Sequence, residues 1–406
     1  MCIRDSIDVA WDPTLISRGL ISHGAVEIYG QEKENFVKVS EDPMAGDTSL
    51  VIEGGADGWE VGDKIVLTGT HLVDFVDEDG QPYQPGEEIS DETQDESLII
   101  TAIEGDRIFF DKPLEYDHDT PRDDLKAYVA NYTRNVRFET ENSDTVDVHA
   151  RGHVMFLHSD DVDVRYAEFS QLGRTDKTER AFDVDELDTV TSDSNVKGRY
   201  SVHLHRAGTE DLDDPAILIG NSVWGSPGWG FVHHDSNAIF SDNAAFDVSG
   251  AAFVAETGNE TGRWSGNISI KATGVAVGSK NSEDIEAFDL GRQGVGFWHQ
   301  GRLVESVDNV AAGNPGGTGF VYLQRGLSED IINVTPATVA QADKLRYQDD
   351  ASISRPNISL FSGNEAIGVR YGLEIIKGGP QQGHDVRSVI NDFTCLLYTS
   401  PSPRDS

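Results

Sequence analysis

The stretch that decides the fold reads GRYSVHLHRAG (198–208), GWGFVHHDSNAIFSDN (228–243) and AAFVAETG (251–258). Phe231 opens Phe-Val-His-His, and Phe253 opens Phe-Val-Ala-Glu 22 residues later. Val275 follows after another 22, Phe297 after 22 more and Phe320 after 23. Asn221, Asn243 and Asn267 keep the beat at 22 and 24, with Asn309 a further 42 on. A fixed period of this size is the signature of a stacked repeat and outranks local propensity. Short apolar segments cornered by Gly and Asn, without helical periodicity, predict one coil of a parallel β-helix per period.

Working outward, the chain reads as all-β: a right-handed parallel β-helix of period about 22, preceded by a small β-rich module. The module is placed at 7–130, where Gly24 to Gly30 alternates, Trp59 to Leu67 is a turn feeding a strand, and 97–103 with 107–110 predicts a hairpin. Acidic Asp74 to Glu96 reads as an exposed loop, in which Asp77, Asp79 and Gly80 match only the start of a calcium loop. The solenoid is placed at 131–394, with polar stretches at 174–197, 209–214 and 330–350 inserted between coils. The segments 1–6 (MCIRDS) and 395–406 (CLLYTSPSPRDS) both end in Arg-Asp-Ser. They read as translated sequencing adapter, so the chain is expected to be an internal fragment.

Composition bounds the partners. The net charge is −39, and only 11 of the 32 basic residues are lysine. Such a surface repels nucleic acid and anionic lipid, so neither is expected as a partner. It fits a salt-adapted surface, and it also fits clustered carboxylates binding calcium, the one cofactor the composition suggests. No apolar run of membrane-spanning length occurs, so no integral membrane segment is expected. The only cysteines, Cys2 and Cys395, fall in the terminal segments, which leaves no disulfide or thiolate metal site between them.

Placing Val202, Phe231, Phe253, Val275, Phe297 and Phe320 at position zero of successive coils puts His205, His234, Glu256, Gly278, Gln300 and Leu323 at position three. Stacked residues stand about one strand spacing, 4.8 Å, apart. Side chains alternate along a strand, so position three faces outward when position zero faces the core. His205, His234 and Glu256 then form an outward column suited to proton transfer at a bound substrate. Asp235 and Arg206 lie one residue further along, and Arg199 could hold a substrate carboxylate by a two-pronged hydrogen bond. Tyr200, Trp224, Trp229 and Trp298 are candidate platforms for sugar rings. His158, His233 and His299, two residues after an apolar start, are expected to face inward. A His/Glu metal site at the column is a further option.

These residues resemble a known family. LISRGLISHGAVEIYG (15–30) resembles the closing part of the G-eight domain, and GWEVGDKIVL (58–67) the segment that follows it. GRYSVHLHRAG, HHDSN (233–237) and AETG (255–258) resemble the parallel β-helix of the family containing the cell-migration-inducing hyaluronan-binding protein and its transmembrane hyaluronidase relative. The resemblance departs at Thr257, where those relatives place a further acid. It implies an extracellular or cell-surface protein whose partner is an acidic polysaccharide, cleaved by hydrolysis or by elimination, with Arg199, His203, His205, His234 and Glu256 at the site. A non-catalytic glycan-binding or adhesion solenoid is the reading from another class.

Overall fold

The computed structural model describes residues 8–71, 93–209, 211–274, 290–323, 358–376 and 388–396. Most of them form a parallel β-helix with three strands per coil. The first column of strands runs Gly19–Ser22, His153–Leu157, Val202–Gly208, the start of Phe231–Ser241, Ala251–Ala255 and Val295–His299, each parallel to the next. A second column begins at Val26–Tyr29 and Val162–Arg165 and continues through Ala216–Ile219 to Thr261–Ser265. The third runs Val136–Glu139, Ala167–Ser170, Ser222–Ser226, Ala244–Ser249 and Ile268–Thr273. Later coils fuse into the long strands Val310–Leu323 and Glu365–Ile376.

Alternation along each strand fills the interior. Val202 and Leu204 point in, as do Phe231 and Phe253 on the next two coils. The rings of Phe231, Phe253, Phe297 and Phe320 stack in order, with centroids 4.9, 4.7 and 4.8 Å apart. That is the strand spacing, so one ring per coil makes a continuous column inside the solenoid.

Corners are fixed by a dipeptide. Gly220-Asn221, Asp242-Asn243, Gly266-Asn267, Asp308-Asn309 and Gly363-Asn364 each place a left-handed residue before asparagine, with φ of 68°, 55°, 63°, 53° and 69°. Gly and Asp are among the few residues that adopt this conformation at low cost. Their alternation has a steric reason: a Cβ on Gly266 would stand 2.5 Å from the Asp242 carboxylate, and one on Gly363 would collide with that of Asp308. Each buried asparagine then binds the next. Asn267 Oδ1 accepts from the Asn243 backbone N–H at 3.0 Å and from its amide at 2.9 Å, while the Asn267 amide donates to the Phe240 carbonyl at 2.9 Å and to Asn309 at 2.8 Å. The ladder runs from Asn221 to Asn364, one step beyond the period read in the sequence.

The β-rich module is a six-stranded antiparallel sheet between Phe36 and Asn131, including the expected hairpin of Glu96–Glu104 with Arg107–Phe110. It sits differently from the sequence expectation. Gly19–Ser22 and Val26–Tyr29 already belong to the solenoid, so the module is inserted within the first coil rather than placed ahead of it. Its entry and exit strands, Phe36–Lys38 and Tyr128–Asn131, pair antiparallel. At that junction the buried Arg134 guanidinium donates to the carbonyls of Gly220 at 2.8 Å, Asn131 at 3.1 Å and Thr133 at 2.8 Å. The module also packs on the third strand column, where Val66, Ala130 and Tyr132 share a core with Ala244, Phe246 and Ile268.

Two further differences concern the repeat. Phe253 pairs directly with Phe297, so neighbouring coils are 44 residues apart there rather than 22. The column passes from Glu256 to Gln300. Thr394–Leu396, which includes Cys395, pairs with Glu365, Ala366 and Ile367, so the solenoid continues two residues into the segment set apart as adapter. Val275, Gly278, the stretch around Asp77, Asp79 and Gly80, and the insertion at 330–350 lie outside the described residues. No helix among the described residues is long and apolar enough to cross a membrane.

Two stability measurements check this account. Asn267→Ala leaves the backbone N–H and amide of Asn243 without their acceptor and the Phe240 carbonyl without a donor, and is expected to cost at least about 1–3 kcal/mol, read from the urea midpoint. Glu96 in the module is buried and accepts from the N–H groups of Glu115 and Tyr116 and from His118. Burial opposes its charge, but these bonds win and hold the carboxyl below its ordinary 4.5. Its contribution is therefore full above that value and disappears as pH falls through the lowered one. Wild type should lose more stability on acidification than Glu96→Gln; equal losses would refute the assignment.

Candidate active site

The outward column forms as the alternation predicts. Val202 pairs with Phe231 and His205 with His234, and the Glu256 N–H donates to the His233 carbonyl at 3.0 Å, which places Glu256 beside His234. His205, His234 and Glu256 share the floor of a cleft of about 420 Å³ with His203. His203 precedes the inward Leu204, so it too faces outward, and it is buried beneath the cleft floor. Its Nδ1 lies 2.9 Å from the Gly198 carbonyl, and its Nε2 lies 3.4 Å from His205 Nδ1. Glu256 Oε2 stands 3.1 Å from His234 Nδ1 and 3.8 Å from His203 Nε2. The contact with His234 is an ion-pair distance without good hydrogen-bond geometry, since both atoms are closed to solvent and neither completes a hydrogen bond.

These environments separate the four groups. Burial pushes the His203 imidazole down to about 4 against the pull of Glu256. Burial, with His203 and His234 beside it, takes His205 down to about 2. Burial also opposes charge on His234, but the Glu256 carboxylate outweighs it and raises the imidazole. Glu256 is itself held well below the carboxylate range, burial being overcome by His234. The cleft floor thus holds a carboxylate beside one imidazole whose charged form it favours, next to two whose charged forms burial disfavours.

A second acid, Glu260, fixes the turn after Glu256. It accepts from the N–H groups of Asp235 at 3.0 Å, Thr257 at 2.7 Å and Gly258 at 2.7 Å. Burial nevertheless raises its carboxyl. Nothing in the repeat singled out Glu260; three backbone donors converging on one buried carboxylate are visible only in three dimensions.

The other expected residues divide. Arg199 lines the cleft, but its guanidinium donates to the carbonyls of Leu15 at 2.9 Å, Lys197 at 2.9 Å and Thr14 at 2.6 Å, which occupies it structurally rather than as a carboxylate anchor. Arg206 is exposed, with φ 55°, and stands outside the cleft lining, as does Asp235, whose carboxylate accepts from the Asn259 amide. Tyr200 and Trp229 do line the cleft, yet they are buried and stacked on each other at 4.7 Å, with Lys177 Nζ 3.6 Å above the Trp229 ring. Their faces are covered, so they form the cleft wall and offer no open platform. Trp224 lies on another side of the solenoid, packed against Tyr132 and Phe246 beneath Lys64. Trp298 is buried edge-on to Trp229.

His233 and His299 face inward and are buried, as expected. His158 does not: Phe156 takes the inward position, and His158 is exposed with φ 54°, edge-on to His205 at 6.2 Å. The sequence reading also missed Lys177, Asp183 and Lys197, which line the cleft from the stretch read as a plain insertion. Their signal was weak, since polar residues in such a stretch look like solvated loop. Lys197 Nζ pairs with Asp183 at 3.2 Å.

No family model matches the chain. Among curated proteins, a G8 domain-containing protein of Dictyostelium discoideum is 26% identical over 246 residues, 60% of this chain and 14% of its own length. Communication mutant protein F of the same organism is 23% identical over 296 residues, 72% of this chain and 22% of its own. The chain is related to the G8 domain-containing proteins. Another such protein is 26% identical over 59% of the chain, again with only 18% of its own length matched. The chain thus spans about a fifth or less of these relatives. Among solved structures, the Gp54 tailspike of Acinetobacter baumannii bacteriophage AP22 overlaps 94% of this chain and 58% of its own at 7% identity and a TM-score of 0.21. The gp49 tailspike of Pseudomonas phage LKA1 overlaps 92% and 62% at 11% identity, also with a TM-score of 0.21. Overlaps this loose add nothing to the strand register already described for this G8 relative.

The clip at Glu260 is open to test. Glu260→Ala strands three backbone donors and is expected to cost at least about 1–3 kcal/mol in the urea midpoint. A loss within experimental error would mean that Glu260 does not fix the turn.

Proposed function

We propose that the chain is the β-helix part of a secreted or cell-surface carbohydrate-active protein that cleaves an acidic polysaccharide of the hyaluronan type by hydrolysis. One observation carries the reading: the ionised Glu256, paired with His234, lies on the floor of a cleft whose wall holds the cations Lys177 and Lys197. On a chain of net charge −39, a cleft with basic residues in its wall is where a polyanion could approach. The sequence resemblance to hyaluronan-depolymerising proteins supports the same substrate class.

In this reading Glu256 activates water or stabilises positive charge at the reacting sugar, and the imidazoles of His205 and His234 stabilise charge beside the bond. Hydrolysis ordinarily uses two carboxylates flanking the bond. Asp235 does not face the cleft, whereas Asp183 does, so Asp183 takes the second place. Calcium, expected from composition, would serve as a bridge between the acidic surface and the glycan.

The test is release of reducing ends and of unsaturated uronate from a panel of acidic glycans, with and without calcium, for wild type and Glu256→Gln. Hydrolysis predicts reducing ends without unsaturation, reduced about 10²- to 10⁴-fold in the variant. Unsaturated product would replace hydrolysis by elimination, with neutral His205 as base. Glycan retention without turnover in either protein would leave a binding solenoid and sink the enzymatic reading.

A further inference from the structure

We propose that His203, His205 and His234 form a site for a divalent transition metal of the zinc type, with the Glu256 carboxylate beside it. The inference goes beyond the glycan reading and stands whether or not that reading holds.

The geometry begins with the Gly198 carbonyl. It can only accept, so His203 Nδ1, 2.9 Å away, carries the hydrogen and Nε2 presents its lone pair. A backbone carbonyl on the far nitrogen is how ligand histidines are commonly oriented. His203 Nε2 and His205 Nδ1 then stand 3.4 Å apart. Two nitrogens on a tetrahedral ion, each bonded at about 2.0–2.1 Å, are separated by about 3.3 Å. A ring nitrogen of His234 completes the set, with one ligand atom from each of the three residues within 4.8 Å of the others.

The fourth side of this cluster is anionic. Glu256 Oε2 lies within 3.8 Å of both His203 and His234, closed to solvent and without a completed hydrogen bond. Buried acceptors left in that state are rare, and a cation is one of the groups that resolves them. Calcium prefers oxygen ligands, so three imidazoles and one carboxylate point instead to zinc and its neighbours. The competing arrangement is a hydrogen-bond relay in which His205 Nδ1–H donates to His203 Nε2. That relay satisfies two imidazoles and leaves His234 and Glu256 imperfectly paired.

The experiment reads metal, not turnover. Protein stripped with chelator is titrated with Zn²⁺ against a chromophoric competitor, and separately loaded with Co²⁺. Wild type is expected to bind one Zn²⁺ per chain and to give the intense visible Co²⁺ bands of a tetrahedral site. His203→Ala and His205→Ala should each weaken Zn²⁺ by more than about 100-fold, the upper range for losing merely a supporting group. His149→Ala, outside the cleft, should leave binding unchanged. Absence of stoichiometric Zn²⁺, a pale octahedral Co²⁺ spectrum, or undiminished affinity in folded His205→Ala would each overturn the proposal. The Co²⁺ spectrum is taken on wild type and needs no variant to fold. A protein that binds zinc but leaves glycans intact would refute the glycan reading alone; cleavage without zinc binding would refute the metal site alone.

Discussion

One strand spacing, repeated from coil to coil, is the constraint on which the molecule depends. The corner asparagines enforce it. Each takes the backbone N–H and amide of the preceding ladder residue and returns its own amide to the next, so a coil that slid by one residue would strand buried donors on both sides. The left-handed Gly or Asp before each asparagine turns the chain at the same point every time. The stacked phenylalanines follow that spacing rather than set it, because apolar contacts alone tolerate displacement that directional bonds do not.

Locked register turns sequence distance into chemistry. His205, His234 and Glu256 come from three coils, yet they meet because each occupies the same place on its strand. Burial disfavours charge on His203 and His205, whereas proximity to Glu256 favours it on His234. Identical side chains thus acquire different characters from position alone. The solenoid supplies the floor, and the excursion at 174–197 supplies Lys177, Asp183 and Lys197 in the wall. Floor and wall are therefore built by different rules, the first by stacking and the second by an irregular segment.

Much of the floor was legible in the sequence, and little of the wall. The beat of Phe231, Phe253 and Phe297, with the asparagines at the corners, contains the period, the parallel pairing and the direction of position three. The 44-residue step from Phe253 to Phe297 is not legible, because a count of residues cannot distinguish two short coils from one long one. His158 departs because Val154, not Phe156, aligns with Val202, which puts His158 level with Arg206 at the left-handed turn that ends the strand. Arg199 was unreadable in a different way: its partners Thr14 and Leu15 lie more than 180 residues away, and no local pattern announces a carbonyl arriving from that distance. Trp224 shows the limit for aromatics, since sequence gives the ring but not the face of the solenoid that receives it.

The inserted module has a consequence for how the chain finds its fold. A coil interrupted by about a hundred residues would ordinarily close slowly, because bringing distant ends together costs entropy before any contact repays it. Here Phe36–Lys38 and Tyr128–Asn131 lie side by side, and the Asn131 N–H reaches the Asn35 carbonyl at 2.7 Å. Once the module has folded, its two ends are neighbours, and the solenoid experiences the interruption as a short connection. The first coil is then held shut by the paired ends of the module and by Arg134 at the seam. The insertion acts as a clasp across the coil that it interrupts.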